Sequence, residues 1–469
     1  MKMIMHLLVV AALSVAGFVD GATAEDVVRV RVDPEAPEWS IPNHFIGFGY
    51  ETSAVARPGY FSARNTVLVQ LYRTLGPQGL VRIGGNISDH TRFVPQGPAK
   101  VSPQTGTTVI NRAVLVDLGE FLRATGWKAM WGLNLATGSR VEAVEEAVAV
   151  TAALGDRLQS FEIGNEVDLQ PRFTGNFGAY HAAYIDYKAA IRAVLPNASF
   201  SGPDVASPTT TWAADFANAE SADMKLLTQH YYRGGAQQPT ATIATLLAGD
   251  PPWEARLQAL RRICRDKGLA YRINEVNSFY GGGKKGVSDT FASALWSLDY
   301  MFLLASEGCS GVNLETDVNQ YAWISHYTPI FRDESGRLSA RPCYYGMLAF
   351  AQAGKGALLK LALAKPDINL TAYATKDSKG VLWITLVNKD LERDAQVELS
   401  LPEGYSGPEV FRLSAPSASS RDHVTLAGSE VSADGKWTPG PPEKIAVTTG
   451  VAGLRVPRAS AALLRLDPR

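Results

Sequence analysis

The stretch Phe161-Glu162-Ile163-Gly164-Asn165-Glu166 decides how the rest of the chain is interpreted. Its aromatic and β-branched residues predict a buried strand, and the strand ends in an Asn-Glu pair. A second stretch, Tyr271-Arg272-Ile273-Asn274-Glu275, ends in the same way 109 residues later (275 minus 166). Barrel enzymes carry their catalytic groups at the carboxyl ends of parallel strands. The two glutamates are therefore expected to face each other across the mouth of one barrel.

Strand and helix patterns alternate on both sides of these two stretches. Eight strand-helix repeats favour a closed (β/α)8 barrel over an open doubly wound sheet, and we predict that the barrel covers residues 40–355. The other strands are predicted at residues 45–51, 80–86, 128–135, 200–204, 225–232 and 311–316, and the helices at residues 64–75, 113–125, 140–154, 178–194, 212–220, 254–267, 288–307 and 340–353.

Beyond about Gly356 the pattern changes to short strands separated by Gly, Pro, Ser and Asp. Five such strands between residues 370 and 466 are typical of a β-sandwich. The alternating run Val27–Val32 has no partner in the barrel, and the stretch Pro34–Pro42 breaks its pattern. We therefore predict an α/β fold in which a (β/α)8 TIM barrel is joined to a C-terminal β-sandwich. Residues 25–39 are expected to add an N-terminal strand to the sandwich formed by residues 356–469.

The first 24 residues have the layout of a secretory signal peptide. Lys2 precedes the apolar run Leu7–Val19, and Ala22-Thr23-Ala24 supplies the small residues that a signal peptidase requires. The apolar run is too short to span a bilayer comfortably, and no later run reaches ~18 apolar residues. We expect a secreted or periplasmic protein without a membrane partner. An uncleaved N-terminal anchor is the alternative, but no stop-transfer pattern follows it.

Charge and cysteine content exclude several classes of function. The 469 residues are 46% hydrophobic with a formal net charge of -1, so the chain can bury a large core but has no basic field for nucleic acid. Cys264, Cys309 and Cys343 are widely spaced and odd in number, which gives neither a disulfide framework nor a metal site. We expect buried thiols, with a Cys309–Cys343 bridge as the alternative. No metal and no cofactor are predicted, and a monomer is expected.

Two matched carboxylates at strand ends suit the hydrolysis of a glycosidic bond. One carboxyl donates a proton to the leaving oxygen, and the other attacks or stabilises the anomeric carbon. A single strand-end carboxylate usually caps the next helix, but two Asn-Glu pairs favour catalysis by Glu166 and Glu275. Tyr232 ends the preceding strand on the same face as His230, where its hydroxyl can bond Glu275. Core packing is the alternative for Tyr232.

A glycine-rich loop follows Glu275. Gly281–Gly286 matches G-x-G-x-x-G, but bulky and polar residues separate it from the strand, and a dinucleotide fingerprint normally opens its domain. A loop whose backbone N–H groups receive an anion, with Tyr280 adding a hydroxyl, is the preferred interpretation. A flexible linker is the alternative.

Several of these stretches together resemble glycoside hydrolase family 79. That family contains β-glucuronidases and heparanases, which retain the sugar configuration and combine a (β/α)8 barrel with a β-sandwich. The resemblance implies Glu166 as acid/base and Glu275 as nucleophile, with no cofactor. It rests on residues 275–283, 288–292, 163–166, 82–86 and 202–204.

The resemblance also implies the groups that bind the sugar. Asn165 is expected near the 2-hydroxyl, and Tyr232 beside the nucleophile. The carboxylate of a glucuronic acid is expected to contact Tyr280, Gly281, Gly282 and Tyr321, and the sugar hydroxyls are expected to contact Glu51, Gly85 and Asn86.

An exo-acting retaining β-glucuronidase on terminal β-linked glucuronic acid is the function that the resemblance implies. Heparanase-like members carry Thr after the first Gly-Gly and Asp-x-Asn on the first strand. This chain has Asn86 and Tyr50-Glu51-Thr52-Ser53 at those places. An endo-acting enzyme on acidic polysaccharide and an exported sugar-binding protein with a degenerate site stay open as alternatives. The intact Asn-Glu pairs argue against the second.

Overall fold

A computed structural model describes residues 27–102 and 107–469 of the chain. The predicted signal peptide lies outside the described residues. Within the described ranges, no helix combines the length and the apolar character that a membrane span requires. Two sheets contain most of the strands: one has eight strands and the other has eleven.

The eight-stranded sheet is a closed parallel barrel. Its strands follow the order β5-β4-β3-β2-β9-β8-β7-β6, and a parallel bridge between Phe161 and Phe200 joins its two edges. The predicted (β/α)8 barrel is therefore confirmed. After β1 (Val27–Ile41), which belongs to the second sheet, the barrel strands are β2 (Gly47–Glu51), β3 (Leu80–Gly84), β4 (Lys128–Leu133), β5 (Leu158–Ile163), β6 (Gly202–Val205), β7 (Leu227–Tyr232), β8 (Tyr271–Asn277) and β9 (Val312–Glu315).

At least one α-helix follows each barrel strand, and most helices begin within three residues of their predicted start. The short helix α6 was not predicted. The helices are α1 (Thr66–Leu75), α2 (Arg112–Thr125), α3 (Arg140–Leu154), α4 (Phe177–Val194), α5 (Thr211–Glu220), α6 (Ile243–Leu247), α7 (Pro251–Lys267), α8 (Phe291–Ser306) and α9 (Pro342–Ala353). Short strands outside the two sheets lie at Thr91–Phe93, Lys100–Val101, Thr108–Ile110, Ile330–Arg332 and Leu338–Ala340.

Local polar contacts decide where two of these helices begin. Ser139 and Glu142 form a capping box at the start of α3, since each side chain accepts a hydrogen bond from the other residue's backbone N–H. Helix α8 begins at Phe291 and not at the predicted Ser288. The Ser288 hydroxyl accepts a hydrogen bond from the backbone N–H of Lys284 at 2.8 Å, which holds this segment as a turn.

The eleven-stranded sheet follows the order β15-β14-β19-β12-β11-β10-β1-β13-β18-β17, with β16 beside β14. It curls over one apolar core, to which β1, β12 and β18 all contribute, as the two layers of a sandwich do. Its further strands are β10 (Gly356–Ala364), β11 (Leu370–Lys376), β12 (Leu382–Asn388), β13 (Ala395–Ser400), β14 (Glu409–Ser414), β15 (Thr425–Leu426), β16 (Glu443–Lys444), β17 (Val447–Thr448), β18 (Val451–Val456) and β19 (Ser460–Leu466).

The N-terminal strand joins this second sheet, as predicted. It pairs antiparallel with β10 and parallel with β13. The expectation that prolines end the strand near residue 34 was wrong, because the strand continues to Ile41. Register shifts flank Pro37, and a proline is tolerated at such an irregularity, where no ladder hydrogen bond is lost. The division into domains at residues 40 and 355 stays a prediction.

A buried ion pair connects the barrel to the second sheet. Asp299 of α8 accepts hydrogen bonds from the Tyr373 hydroxyl at 2.9 Å and from the Lys389 ammonium at 2.6 Å. Thr371 of β11 donates a third hydrogen bond to the same carboxylate. These contacts fix α8, which follows the strand that carries Glu275. Elsewhere, all three cysteines are buried free thiols, as predicted, and the alternative Cys309–Cys343 bridge is not formed.

One buried carboxyl in the helix layer makes stability depend on pH. Glu146 of α3 is only 3% exposed, and its Oε1 accepts a hydrogen bond from Trp131 Nε1 at 2.8 Å. Burial raises the pKa of Glu146 to about 7. Its neighbour Glu145 is exposed.

The substitution Glu146→Gln is expected to raise the free energy of unfolding by about 2 to 3 kcal/mol more at pH 8 than at pH 5. The folded pKa lies above the unfolded value, so the wild-type protein loses stability as pH rises from the unfolded pKa through 7, while glutamine never ionises. Urea unfolding at the two pH values measures the difference. Glu145→Gln is the matched control, and an equal effect of Glu146→Gln at both pH values would contradict the assignment.

Candidate active site

A cavity of about 880 Å³ opens at the carboxyl ends of the barrel strands. The predicted residues Gly85 and Asn165 are not part of its lining. Its walls contain nine of the residues that the sequence predicts for the site: Glu51, Asn86, Glu166, Tyr232, Glu275, Tyr280, Gly281, Gly282 and Tyr321.

Glu166 and Glu275 meet at one histidine at the base of this cavity. The Nδ1 atom of His230 lies 3.0 Å from Glu166 Oε1 and 3.5 Å from Glu275 Oε2. One oxygen of each carboxylate and a ring nitrogen of His230 all lie within 4.8 Å of one another. Glycosidases that attack the sugar directly separate their carboxyl groups by ~5 to 5.5 Å, and those that place a water between them use ~6.5 to 9.5 Å. The geometry matches the first group.

Arg82 of β3 lies fully buried beneath the two carboxylates. Its Nη1 donates to Glu275 Oε2 at 2.6 Å, and its Nε donates to Glu162 Oε2 at 3.1 Å. Its Nη2 donates to Asn165 Oδ1 at 2.7 Å and also to Asp204. The guanidinium therefore fixes Glu275 and holds the Asn165 side chain. Bonds to ionised groups of this kind are the strong ones in proteins.

His230 is held as a cation in this network. Its Nε2 lies 2.8 Å from Asp204 Oδ1. Burial alone would lower the pKa of His230, but the charges of Glu275 and Asp204 outweigh burial and raise the pKa well above its usual value. Both ring nitrogens of the protonated imidazole donate, so Nδ1–H bonds Glu166 while it also lies 3.5 Å from Glu275.

Glu166 combines backbone strain with a raised pKa. Its φ of 44° lies in the left-handed region, which costs a residue with a side chain about 1 to 3 kcal/mol. A hydrogen bond from Glu166 N to the Asp204 carbonyl, at 2.8 Å, holds that conformation. Burial raises the pKa of Glu166, the hydrogen bond from His230 lowers it, and the charge of Glu275 raises it again. The net direction is upward, which favours a carboxyl that can donate a proton.

Tyr232 bonds the same carboxylate as Arg82. Its hydroxyl donates to Glu275 Oε1 at 2.9 Å, and burial together with the charge of Glu275 raises the pKa of Tyr232 well above its usual value. The tyrosine therefore stays a neutral donor. Tyr231 points the other way and stacks on Trp253 with ring centroids 4.1 Å apart. The predicted alternation along β7 is confirmed.

The loop after β8 presents free backbone donors to the cavity. Gly281 and Gly282 have φ values of 79° and 83°, and a Cβ atom on Gly282 would lie 2.2 Å from the Trp323 ring. Within residues 27–102 and 107–469, neither glycine N–H donates to a protein acceptor. Tyr280 lies at the rim, half exposed, with its ring 6.3 Å from the ring of Tyr232. Such a loop can receive an anion.

Comparisons with known proteins indicate the class of enzyme. Residues 349–463 match the model of the glycosyl hydrolase family 79 C-terminal beta domain. A "Beta-glucuronidase" of Aspergillus niger is 26% identical over 378 residues, which are 71% of this chain and 68% of that protein. "Heparanase-like protein 3" of Arabidopsis thaliana is 23% identical over 379 residues, 73% of this chain and 68% of that protein. The chain is a glycoside hydrolase, and it is similar to members of family 79.

A solved structure supports the fold of this glycoside hydrolase. The 4-O-alpha-L-rhamnosyl-beta-D-glucuronidase from Fusarium oxysporum 12S superimposes with a TM-score of 0.72 at 19% identity. The match covers 93% of this chain and 99% of the other chain. At that identity the similarity concerns the barrel and the second sheet, and not the substrate.

Glu51 and Gly85 of this glycoside hydrolase act as a unit. Glu51 accepts a hydrogen bond from Ile87 N at 2.8 Å, and burial raises the pKa of Glu51 to about 8. A Cβ atom at Gly85 would lie 2.3 Å from Glu51 Oε2, and the φ of Gly85 is 70°. Gly85 therefore makes room for the Glu51 carboxyl and does not itself line the cavity. A neutral carboxyl can donate a hydrogen bond to one sugar hydroxyl and accept a hydrogen bond from another.

Sequence reasoning missed Glu315, which ends β9 and lines the cavity. In the part of the chain that the structure describes, its buried Oε1 has no hydrogen-bond partner. Burial and the charge of Glu275 raise the pKa of Glu315 well above its usual value. A signal was present, because Glu315 is an acidic residue one position before the end of the strand predicted at residues 311–316.

The loop after β9 also contributes more than the predicted Tyr321. Tyr321 is 61% exposed at the rim, whereas Tyr327 lies buried in the cavity wall with its ring 6.3 Å from that of Tyr232. Gln320 of the same loop accepts a hydrogen bond from Asn86 Nδ2. No sequence pattern singles out Tyr327 or Gln320, since both lie in an irregular segment.

Glu166, His230 and Glu275 also have the spacing of ligands around a divalent cation. The Arg82 guanidinium lies 2.6 Å from Glu275 and already neutralises this carboxylate. A fixed positive charge at that distance opposes a second cation. Charge therefore favours the sequence prediction of no metal, which stays a prediction.

Proposed function

We propose that this glycoside hydrolase is an exo-acting, retaining β-glucuronidase that releases terminal β-linked glucuronic acid from glycans or glycoconjugates. The observation that carries the proposal is the close approach of Glu166 and Glu275 beside a glycine loop with two free N–H donors. The names of relatives support the substrate class: the Aspergillus niger protein and a second protein from Neurospora crassa, 24% identical, are both called β-glucuronidases.

Glu275 is the proposed nucleophile of the first step. Its carboxylate attacks the anomeric carbon, the bond to the glycosidic oxygen breaks, and Glu166 gives its proton to that oxygen. Arg82 and Tyr232 each bond one oxygen of Glu275, which holds the carboxylate aimed at the sugar. The products of the step are a glucuronyl ester of Glu275 and the free alcohol of the leaving group.

Water completes the reaction in the second step. Glu166, now ionised, takes a proton from water, the resulting hydroxide oxygen bonds the anomeric carbon, and the Glu275 ester breaks. Two displacements return the original configuration. The Nδ1–H of His230 lies within reach of both carboxylates, so it can stabilise Glu275 before the first step and Glu166 after it.

The sugar is oriented by groups on either side of the carboxylate pair. The free N–H donors of Gly281 and Gly282, with the hydroxyls of Tyr280 and Tyr321, are proposed to receive the glucuronate carboxylate. The hydroxyls are proposed to bind Glu51 and Asn86, with Gly85 supporting Glu51, and Asn165 is proposed to lie near the 2-hydroxyl. Glu315, with its unsatisfied oxygen, is proposed as an additional hydroxyl ligand that was not among the predicted site residues.

Glu275→Gln is expected to lower kcat/KM on an aryl β-glucuronide by more than 10³-fold, because the amide cannot form the ester. Glu166→Ala should keep the first step for a good leaving group, but should slow the second step, which needs a base. Added azide should then restore turnover and give a β-glucuronyl azide. Stopped-flow release of nitrophenol and product NMR measure these steps, with Glu145→Gln as control. Undiminished turnover by Glu275→Gln would rule out its role.

His230→Gln is expected to move the basic limb of the kcat/KM profile to higher pH by about one unit. The limb reports loss of the Glu166 proton, and the histidine bond lowers the Glu166 pKa, so its removal raises that pKa. The value of kcat should also fall. Tyr231→Phe, on the opposite face of β7, is the control. An unmoved basic limb in His230→Gln would contradict a contact between His230 and the acid.

An exo mode of action is supported by a bridge across the rim. Asn86 follows β3 and Gln320 follows β9, so their hydrogen bond passes above the end of β2, where Glu51 lies. This position is on the sugar-binding side, opposite the side where Glu166 meets the leaving group. A continuous polysaccharide would have to pass beneath the bridge, whereas a terminal sugar would end against it.

Exo action predicts that free glucuronic acid appears from the first turnovers on an acidic polysaccharide, with almost no early loss of viscosity. Chromatography of released products and viscometry on the same sample measure both quantities. Gln320→Gly, which removes the bridge, should allow some internal cleavage. An early fall in viscosity with the wild-type enzyme would favour the alternative, an endo-acting heparanase-like enzyme. Lack of turnover on every glucuronide would favour a degenerate sugar-binding protein.

A further inference from the structure

The side of the cavity that receives the leaving group can be traced from Glu166. The residue that protonates the glycosidic oxygen must lie next to the leaving group. The chain after Glu166 carries Leu169, whose side chain is 62% exposed and lines the cavity. Asp168 of the same segment accepts a hydrogen bond from Ala206 N at 3.1 Å. The leaving-group side therefore continues from Leu169 to the segment that follows β6.

Arg256 reaches this same segment from the second turn of α7. Its Nη1 donates to the Ser207 carbonyl at 3.3 Å, and its guanidinium stacks over the Trp253 ring at 4.9 Å. Arg256 also lines the cavity, together with Pro208 and Gln238. The arginine is therefore positioned on the wall that a leaving group would pass.

Arg256 differs from Arg82 and Arg233 because, among the described residues, it forms no ion pair, although the charge of Asp250 acts on it from a distance. In residues 27–102 and 107–469, no carboxylate forms an ion pair with it, and its Nε and Nη2 groups donate to no acceptor. By contrast, Arg233 pairs with Asp250 at 3.0 Å and donates to two backbone carbonyls. Arg82 is surrounded by carboxylates. A half-buried guanidinium with an unused pair of donors is a site for an anion.

We propose that Arg256 forms a leaving-group subsite that binds a carboxylate on the aglycone, so that the enzyme prefers glucuronides whose aglycone is itself acidic. The Nε–Nη2 edge is the pair of parallel donors that binds a carboxylate in a bidentate manner. Trp253 holds the plane of the guanidinium, and the Ser207 carbonyl takes the remaining Nη1 donor. Leu169 offers an apolar contact to the rest of the aglycone. The inference rests on the proposed β-glucuronidase function.

The test compares two aryl β-glucuronides that differ only in one ring substituent, a carboxylate or its methyl ester. The measured quantity is the ratio of kcat/KM for the carboxylate over the ester. The two substrates differ in leaving-group reactivity, but this difference is the same for every enzyme. Comparing the ratio of a variant with the ratio of the wild type therefore removes it. Arg256→Gln is expected to lower the ratio about tenfold relative to wild type, because one charge-assisted contact is lost.

Matched variants separate recognition from a structural role. Arg261→Gln, on the same helix but with a partly exposed side chain near Glu307, should leave the ratio unchanged. Arg256→Lys keeps the positive charge but lacks the pair of parallel donors, so it should give an intermediate ratio. If Arg256 only holds the segment after β6, Arg256→Gln will lower both rates in parallel, the ratio will not move, and the proposal is overturned.

A measurement on the unchanged protein covers the case in which Arg256→Gln does not fold. The wild-type ratio should fall as the sodium chloride concentration rises from 20 to 500 mM, because salt screens the attraction between Arg256 and the carboxylate. Over this range the Debye length falls from ~20 Å to a few ångströms. A ratio independent of salt would overturn the proposal. If the wild-type enzyme cleaves neither glucuronide, the proposed function itself fails. If it cleaves both and Arg256→Gln keeps the wild-type ratio, only the subsite fails.

Discussion

The site is built on one buried guanidinium. Arg82 lies inside the barrel and donates to groups on or after β5, β6 and β8, so a single side chain ties the positions of three strands to one another. Burying a charge is tolerated only when it is paired and fully hydrogen-bonded. The acidic neighbours of Arg82 satisfy that condition, and the guanidinium in turn holds their carboxylates in place. The same contact that stabilises the barrel interior also orients the proposed nucleophile.

Several carboxyl groups lie close together in this arrangement, and their pKa values differ widely. Burial raises the pKa of Glu162 to about 8 and that of Glu51 to about 8 as well. Burial alone would also raise the pKa of Asp204, but Arg82 and His230 outweigh it and hold the pKa well below its usual range. Neutral and ionised carboxyls therefore lie side by side, and the protonation state of each depends on the groups that surround it. A site that needs one proton donor and one anion can obtain both in this way.

Much of the architecture follows from local patterns in the chain, and much of the site does not. Strand-helix alternation and the strand-end Asn-Glu pairs are visible because hydrophobic period and residue type act over short distances. Arg82 looked like one more residue of an apolar strand, since its partners come from strands 80 to 193 positions away. Tyr327 and Gln320 lie in irregular backbone without periodicity. The passage of β1 beyond Pro37 depends on a bulge that only the neighbouring strand makes possible.

The location of β1 in the second sheet has a consequence for biosynthesis. The first described strand lies between β10 and β13, more than 300 positions further along the chain. On the ribosome, this strand is made long before its neighbours and must wait, unpaired, until both of them have emerged. An unpaired apolar strand can associate with other chains. We therefore expect chaperones to bind the nascent protein at this stage. Assembly of the second sheet thus depends on segments that are synthesised far apart in time.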